Sequence, residues 1–315
     1  MLSKGDDYPI HQTPEPIAYA GHDRNFYDRY FFHGYHKEDD IFFAVAMGQY
    51  PVLNITDAAF SVLVDGEVHS LFASTILGME RMKTTVGPVH VDVVEPLETL
   101  RVVVGPNEHG IEADLTFRRR TIAIEEPRFI RRAGPRTILD YTRLTQLGTW
   151  EGIIRIGSKQ IDVRRDEFLG TRDRSWGVRP VGLQDPQSVA PPPEPQFYWL
   201  WAPLHFENTT SLFHINEDAA GEVWSADAIF CDDAPAETEQ MEKARANLVY
   251  KPGTRHAKSA TLHYLRKDGA KIEIQLKPRY QFYMQSIGYM HPQFSHGRFY
   301  GERMLKYESF PIAEA

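Results

Sequence analysis

Apolar and polar residues alternate with a period of two along most of the chain, and the apolar positions are rich in Val, Ile, Phe and Tyr. That pattern predicts half-buried β-strands, because successive side chains of a strand point to opposite faces. Runs of this kind cover 26–35, 41–47, 58–64, 67–73, 89–94, 99–104, 111–117, 152–156 and 160–164. Asp65-Gly66 separates two of them in the manner of a type I′ hairpin, and Gly157-Ser158 holds a similar place. Residues 125–148 fit neither period. They contain Pro127, Gly134, Pro135 and Gly148, and are expected to form a loop with one helical turn around 137–147.

The stretch GLQDPQSVAPPPEPQ interrupts the pattern and contains Pro191-Pro192-Pro193, which marks it as a linker. A second series of alternating runs follows at 197–206, 211–216, 223–230, 257–266, 270–277, 280–289 and 298–306, with Asp268-Gly269 as a further hairpin turn. Residues 236–247, rich in Glu, Gln, Met, Ala and Arg, are expected to form a short helix. Two sets of short antiparallel strands predict an all-β protein of two barrels or sandwiches in tandem, at 1–190 and 191–315. A chain of 315 residues is long enough to bury two cores.

Charge and composition narrow the function. With 35 Lys and Arg against 43 Asp and Glu, the net charge of -8 speaks against a general nucleic-acid binder. Cys231 is the only cysteine, which excludes an intramolecular disulfide and a cysteine-based zinc site. The first residues show no apolar signal region, and no run approaches the ~18 apolar residues of a membrane helix, so a cytoplasmic protein is expected. The glycosylation triplets at Asn54 and Asn208 are read as accidental in that context. GxGxxG, Walker A, GxSxG, HExxH and kinase signatures are all missing, which weighs against nucleotide chemistry and the common hydrolase plans. No cofactor is expected. His33 and His36 have a chelating spacing, but they fall on a strand without a third ligand nearby and are read as strand-end histidines, so no metal is expected. Arg118, Arg119, Arg120, Arg128, Arg131, Arg132 and Arg136 are interleaved with Glu112, Asp114, Glu125 and Glu126, the pattern of a self-neutralising face.

The densest chemistry lies at 170–180, GTRDRSWGVRP. Asp173 is flanked by Arg172 and Arg174, with Trp176 and Arg179 beyond. Neighbouring cations would hold the carboxyl ionised, whereas an apolar pocket would raise its pKa and make it a proton donor. Both remain open at this level. Further on, alternation puts Phe197, Trp199 and Trp201 on one strand face and Tyr198 on the other, leading into His205 and Phe206. Tyr141 and Trp150 precede the charged run. Aromatic residues mostly fill cores, but so many of them also predict an aromatic-lined cavity.

The run GTRDRSWGVRP resembles the G-Tyr-x-Asp-His-x-Trp-Gly signature of AttH-like and carotenoid 1,2-hydratase (hydroxyneurosporene synthase) proteins of the calycin superfamily. YDRYFFHGY, FFAVAMGQYP, TDAAFSVLVDG and DYTRLTQLGTWEG resemble a bacterial branch of the same group. Thr171 stands where the family often has Tyr, and Arg174 where it often has His. The resemblance implies two lipocalin-like antiparallel β-barrels in tandem and cofactor-independent chemistry on hydrophobic, isoprenoid-like or polyketide-like small molecules. Carried over, Asp173 is the general acid that protonates an alkene before water captures the cation, and Trp176 and Trp150 shape the cavity. Related members fold a substrate for pericyclic cyclisation instead. The expected site is therefore Asp173 as acid, with Trp176, Arg172, Arg174, Tyr141, Trp150, Tyr198, Trp199, Trp201 and His205 around the substrate. Three readings follow: a lyase or isomerase of the hydratase or dehydratase type, a non-catalytic carrier of a hydrophobic ligand, and an ion-pair clasp in which Arg172, Asp173, Arg174 and Arg179 lock one barrel to the other.

Overall fold

The computed structural model describes residues 7–8, 17–19, 21–183, 198–233 and 237–312; the expected linker at Pro191-Pro192-Pro193 and Phe197 lie outside them. Its strands are Phe26–His36 (β1), Phe42–Tyr50 (β2), Ile55–Val64 (β3), Glu67–Ile76 (β4), Thr85–Val86 (β5), Val89–Glu95 (β6), Thr99–Val104 (β7), Ile111–Arg119 (β8), Ile124–Glu125 (β9), Phe129–Ala133 (β10), Arg136–Ile156 (β11), Lys159–Val163 (β12) and Phe168–Val178 (β13). They continue with Tyr198–His205 (β14), Thr209–Glu217 (β15), Val223–Asp232 (β16), Thr238–Gln240 (β17), Lys243–Tyr250 (β18), Ala257–Leu265 (β19), Lys271–Leu276 (β20) and Arg303–Pro311 (β21). Among the described residues there is no α-helix, so the all-β expectation holds.

The chain divides into two units, Met1–Ser188 with Phe282–Ala315, and Val189–Gln281. The expected division at 190 thus needs a correction at its far end. Residues 282–315 do not belong with the second set of strands, because β21 runs antiparallel along β4 and covers what would otherwise be an open sheet edge.

In the first unit, one antiparallel sheet follows the order β21-β4-β3-β2-β1-β13-β11-β8-β7-β6-β5 and curls strongly into a half-barrel. The β3–β4 turn is the hairpin read from the sequence: Asp65 and Gly66 take φ of 53° and 76°, as a type I′ turn requires. The concave face carries the core, which includes Phe32, Phe43, Val45, Phe60, Leu71, Val102, Leu115, Phe117 and Trp150. Trp150 is fully buried, with Phe32, Phe43 and Phe117 edge-on at centroid distances of 5.8, 5.1 and 5.3 Å.

A row of glycines makes room for this ring. Gly34, Gly170 and Gly148 lie opposite one another on β1, β13 and β11. A Cβ on Gly170 would stand 2.1 Å from the His33 carbonyl oxygen and 2.4 Å from Trp150 Nε1, the indole nitrogen that donates to that oxygen at 2.9 Å. The first glycine of the charged run is therefore a packing requirement. Gly170→Ala is expected to cost about 1–3 kcal/mol through overpacking, measurable as a lower urea midpoint with an unchanged slope.

Two local expectations fail for identifiable reasons. Residues 125–148 are not a loop: Gly134 takes φ of 59° in the β10–β11 turn, and β11 then runs for 21 residues. Both faces of β11 are buried from Leu144 to Thr145 and on to Leu147, which erases the alternation that would have revealed it. Residues 236–247 form no helix where described. Thr238–Gln240 pairs with β16 and Lys243–Tyr250 with β19, so pairing and burial override weak helix propensity. The expected strand at 280–289 is instead irregular chain with a 3-10 turn at Met284–Ile287.

The second unit has two sheets, β14-β15-β16-β17 and β18-β19-β20, around one core of Phe213, Ile215, Ala228, Met241, Leu262, Tyr264 and Ile274.

Candidate active site

Alternation along β13 decides the geometry of the charged run. Side chains of Arg172 and Arg174 point to one face of the sheet, and those of Thr171, Asp173 and Ser175 to the other. The two arginines that flank Asp173 in sequence are therefore not its neighbours in space.

Arg172 and Arg174, both fully buried, belong to the concave side. Arg172 pairs with Asp7 and also donates from Nε and Nη2 to Gln146 Oε1 at 2.9 and 2.8 Å. The backbone N–H of Leu97 donates to Asp7 as well. Arg174 pairs with Asp28, which lies 3.9 Å from Arg81, and its guanidinium sits 3.9 Å from the Tyr30 ring centroid. Asp173 takes no part in these pairs, so the clasp drawn from the sequence is wrong in its membership.

On the opposite face, three rows of residues cross β1, β13 and β11 in register: Tyr27, Gly177 and Tyr141; Arg29, Ser175 and Arg143; Phe31, Asp173 and Thr145. Asp173 thus has Arg29 on one diagonal and Arg143 on the other, at a separation long side chains span. Arg143 makes a bidentate pair with Glu126, Nε to Oε1 at 2.8 Å and Nη2 to Oε2 at 2.5 Å, and Thr145 Oγ1 donates to Glu126 Oε1 at 2.5 Å. Arg29 Nη2 donates to the Tyr50 hydroxyl at 2.5 Å, and that hydroxyl donates to Asp57 Oδ1 at 3.2 Å. Asp57 also accepts from Gly297 N at 2.6 Å and faces His296 Nδ1 at 3.2 Å. Tyr289 completes the layer, its ring centroid 4.9 Å from the Arg29 guanidinium carbon and 5.6 Å from that of Arg179. Arg179 lies over Tyr27 at 4.3 Å.

Asp173 is 7% exposed, and among the described residues no hydrogen bond or ion pair reaches its carboxylate. Burial pushes its pKa from 3.8 up to about 7; Arg143, Arg179 and Arg29 oppose that rise and Glu126 adds to it. His296 moves the other way, to about 4, through burial and the Arg29 charge, against the pull of Asp57. The imidazole is therefore neutral at pH 7, and its contact with Asp57 assigns the proton to Nδ1. Burial disfavours ionisation of Tyr289, but Arg29 and Arg179 outweigh it and hold the hydroxyl below the ordinary phenol range.

The remaining expected site residues are dispersed. Tyr141 shares the Asp173 face and stacks on Phe129 at 4.9 Å. Trp150 is core on the concave side, and Trp176 lies opposite Asp28 and Thr142, on the Arg174 side of β13. Neither stands beside Asp173. Tyr198, Trp199, Trp201 and His205 belong to β14 of the second unit. Tyr198 packs on that unit's core, while Trp199 and Trp201 share the other face, 5.9 Å apart. His36 Nδ1 accepts the backbone N–H groups of Glu38 and Asp39 at 3.2 and 2.8 Å, which occupies it at the strand end. Among the described residues no group of three His, Cys, Asp or Glu side chains is placed to hold a metal ion.

Arg29, Arg143, Glu126, Tyr289 and His296 were missed in the sequence. For Arg29 and Arg143 the signal was strand parity, readable only once β1, β13 and β11 are known to be neighbours. For Tyr289 and His296 there was none, since they come from irregular chain after the second unit.

A family model described as a family of unknown function (DUF8625) matches residues 2–315. No curated protein matches the sequence. Solved structures of similar fold include kievitone hydratase from Nectria haematococca, 15% identical with a TM-score of 0.51 over 75% of this chain and 72% of that one. A protein described as an AttH from Nitrosomonas europaea is 11% identical, with a TM-score of 0.52 over 81% and 82%. CghA is 11% identical, with a TM-score of 0.53 over 87% and 83%. At these identities the likeness carries the fold alone, and at that level it agrees with the AttH-like resemblance. Among the described residues, no helix is long and apolar enough to cross a membrane.

Proposed function

The chain belongs to a family of unknown function, DUF8625, and we propose that it is a lyase or isomerase of the hydratase or dehydratase type, in which Asp173 transfers a proton to or from a hydrophobic small molecule. The observation that carries this reading is the carboxyl group itself: buried, without a hydrogen-bond partner among the described residues, and raised to about 7. A carboxylic acid in that range is about half protonated at neutral pH and gives its proton up readily, which is what general acid catalysis asks of it. The rings of Tyr27, Tyr141 and Tyr289 lie on the same face and offer apolar surface to a substrate. They stand where the family resemblance had placed Trp150 and Trp176. That a hydratase, kievitone hydratase, is built on the same fold supports the reaction class.

The test is incubation with a panel of polyenes and tertiary allylic alcohols in water labelled with heavy oxygen, followed by mass spectrometry. A product that has gained or lost one water, with label incorporated on hydration, supports the reading. Molecules bound and returned unchanged across the panel favour the carrier instead. For a substrate that is turned over, kcat/KM is expected to fall as pH rises through about 7, because the donor must be protonated. A profile flat from pH 6 to 9 would remove Asp173 as the acid.

A further inference from the structure

Buried cations are normally paired, because an unpaired charge in a low-dielectric interior costs several kcal/mol. On the Asp173 face that rule holds for Arg143, which is saturated by Glu126. It fails for two others. Arg29 is 1% exposed, donates once to the Tyr50 hydroxyl, and its Nε and Nη1 have no partner among the described residues. Arg179 forms no ion pair among the described residues and is stacked between the rings of Tyr27 and Tyr289. Among the described residues the carboxylate that faces Arg29 besides Asp173 and Glu126 is Asp57, which is taken up by Tyr50, His296 and Gly297. Two guanidiniums therefore converge on Tyr289 beside Asp173, Arg179 bonded to its hydroxyl and Arg29 with two donors to spare. Arg179 and Tyr289 are half-buried, the more exposed members of this group, whereas Arg29 and Asp173 are buried.

We infer that Arg29 and Arg179 are an anion-binding subsite, that the substrate is an otherwise apolar molecule carrying an anionic oxygen, and that its binding there favours the proton-bearing form of Asp173. The inference deepens the reading of Asp173 as a proton donor and rests on it. Electrostatics makes the coupling reciprocal: a negative charge beside Asp173 disfavours a second one, and a protonated Asp173 leaves the arginines free to attract the ligand. The substrate thus prepares its own acid. The groups that face this space are Arg29 and Tyr27 from β1, Tyr50 from β2, Asp57 from β3, Glu126, Tyr141 and Arg143 around β11, Arg179 after β13, and Tyr289 and His296 from the irregular segment. His296, near 4, does not titrate above pH 6. Tyr289 does compete, since its phenolate would satisfy the same arginines.

The experiment is calorimetric binding of benzoate to the whole protein, with benzamide as the neutral isostere and inorganic phosphate as an anion without apolar surface, from pH 6 to 9. Benzoate is expected to bind at least tenfold more tightly than benzamide and phosphate, with proton uptake near pH 7 and an affinity that falls about tenfold per pH unit above the Asp173 titration. Asp173→Asn is expected to bind benzoate with no proton uptake and little pH dependence over that range. Tyr289→Phe is expected to keep both. Arg179→Gln, at a half-buried position where folding is less disturbed than at Arg29, is expected to lose benzoate binding by tenfold or more. Equal affinity for benzamide, tighter binding of phosphate than benzoate, or a pH dependence that survives in Asp173→Asn would overturn the inference. The assay needs no turnover, so a protein that takes up benzoate and a proton yet converts nothing would keep the anion subsite and lose the catalysis.

Discussion

Asp173→Asn is expected to lower turnover by about two to four orders of magnitude, the usual contribution of a general acid, and to make the protein more stable at pH 8. The two effects have one cause. Between pH 3.8 and about 7 the folded protein holds a proton on Asp173 that the unfolded chain has released. Folding stability therefore falls as pH rises across that window, by about 1.4 kcal/mol for each pH unit, and the deficit persists above it. Asn carries no such deficit. The variant's advantage in urea denaturation is expected to be largest at pH 8, small near pH 4, and to vanish below about pH 3, where the wild-type carboxyl is protonated in both states. His296 has the opposite slope: its folded pKa of about 4 lies below the ordinary 6.5, so its contribution is lost as pH falls through that range. The two offset each other in the wild type between pH 4 and 6.5, and the Asn variant should expose the histidine's acid sensitivity. An advantage equal at pH 4 and pH 8 would show that burial does not raise Asp173.

Trp150→Ala is expected to cost about 3–5 kcal/mol, at the upper end for a core aromatic. The indole is fully buried against three phenylalanine rings and donates to the His33 carbonyl. Its loss removes that hydrogen bond along with the ring contacts. The surroundings also cannot collapse into the vacated space, because the strands beneath present Gly34, Gly148 and Gly170, which have no side chains to move. A fall in the urea midpoint at constant slope measures the effect. A cost below 1 kcal/mol would show that the glycine row closes up.

Most strands were legible because one face is core and the other is not; β7 and β8 alternate almost perfectly, and the Asp65-Gly66 turn follows from its residues alone. The strand beside the one that carries Asp173 was the least legible. β11 is covered on both sides, by the half-barrel core and by the polar layer, and its sequence lost its period accordingly. Residues 236–247 misled through composition, and the final strand through distance, since nothing local tells β21 that its partner is β4. Asp173 itself was evident as the carboxylate of a dense charged run. Its surroundings were not, because adjacency in sequence was taken for adjacency in space.

β13 works as a partition with separate duties on its two sides. A change at 172 or 174 reaches the interior ion pairs with Asp7 and Asp28 and is felt as stability. A change at 173 reaches the proton and is felt as chemistry. Arg174 can therefore drift with its concave-side partners without retuning the acid one residue away. An insertion of a single residue in the strand would do what no substitution does, exchanging the two compartments outright.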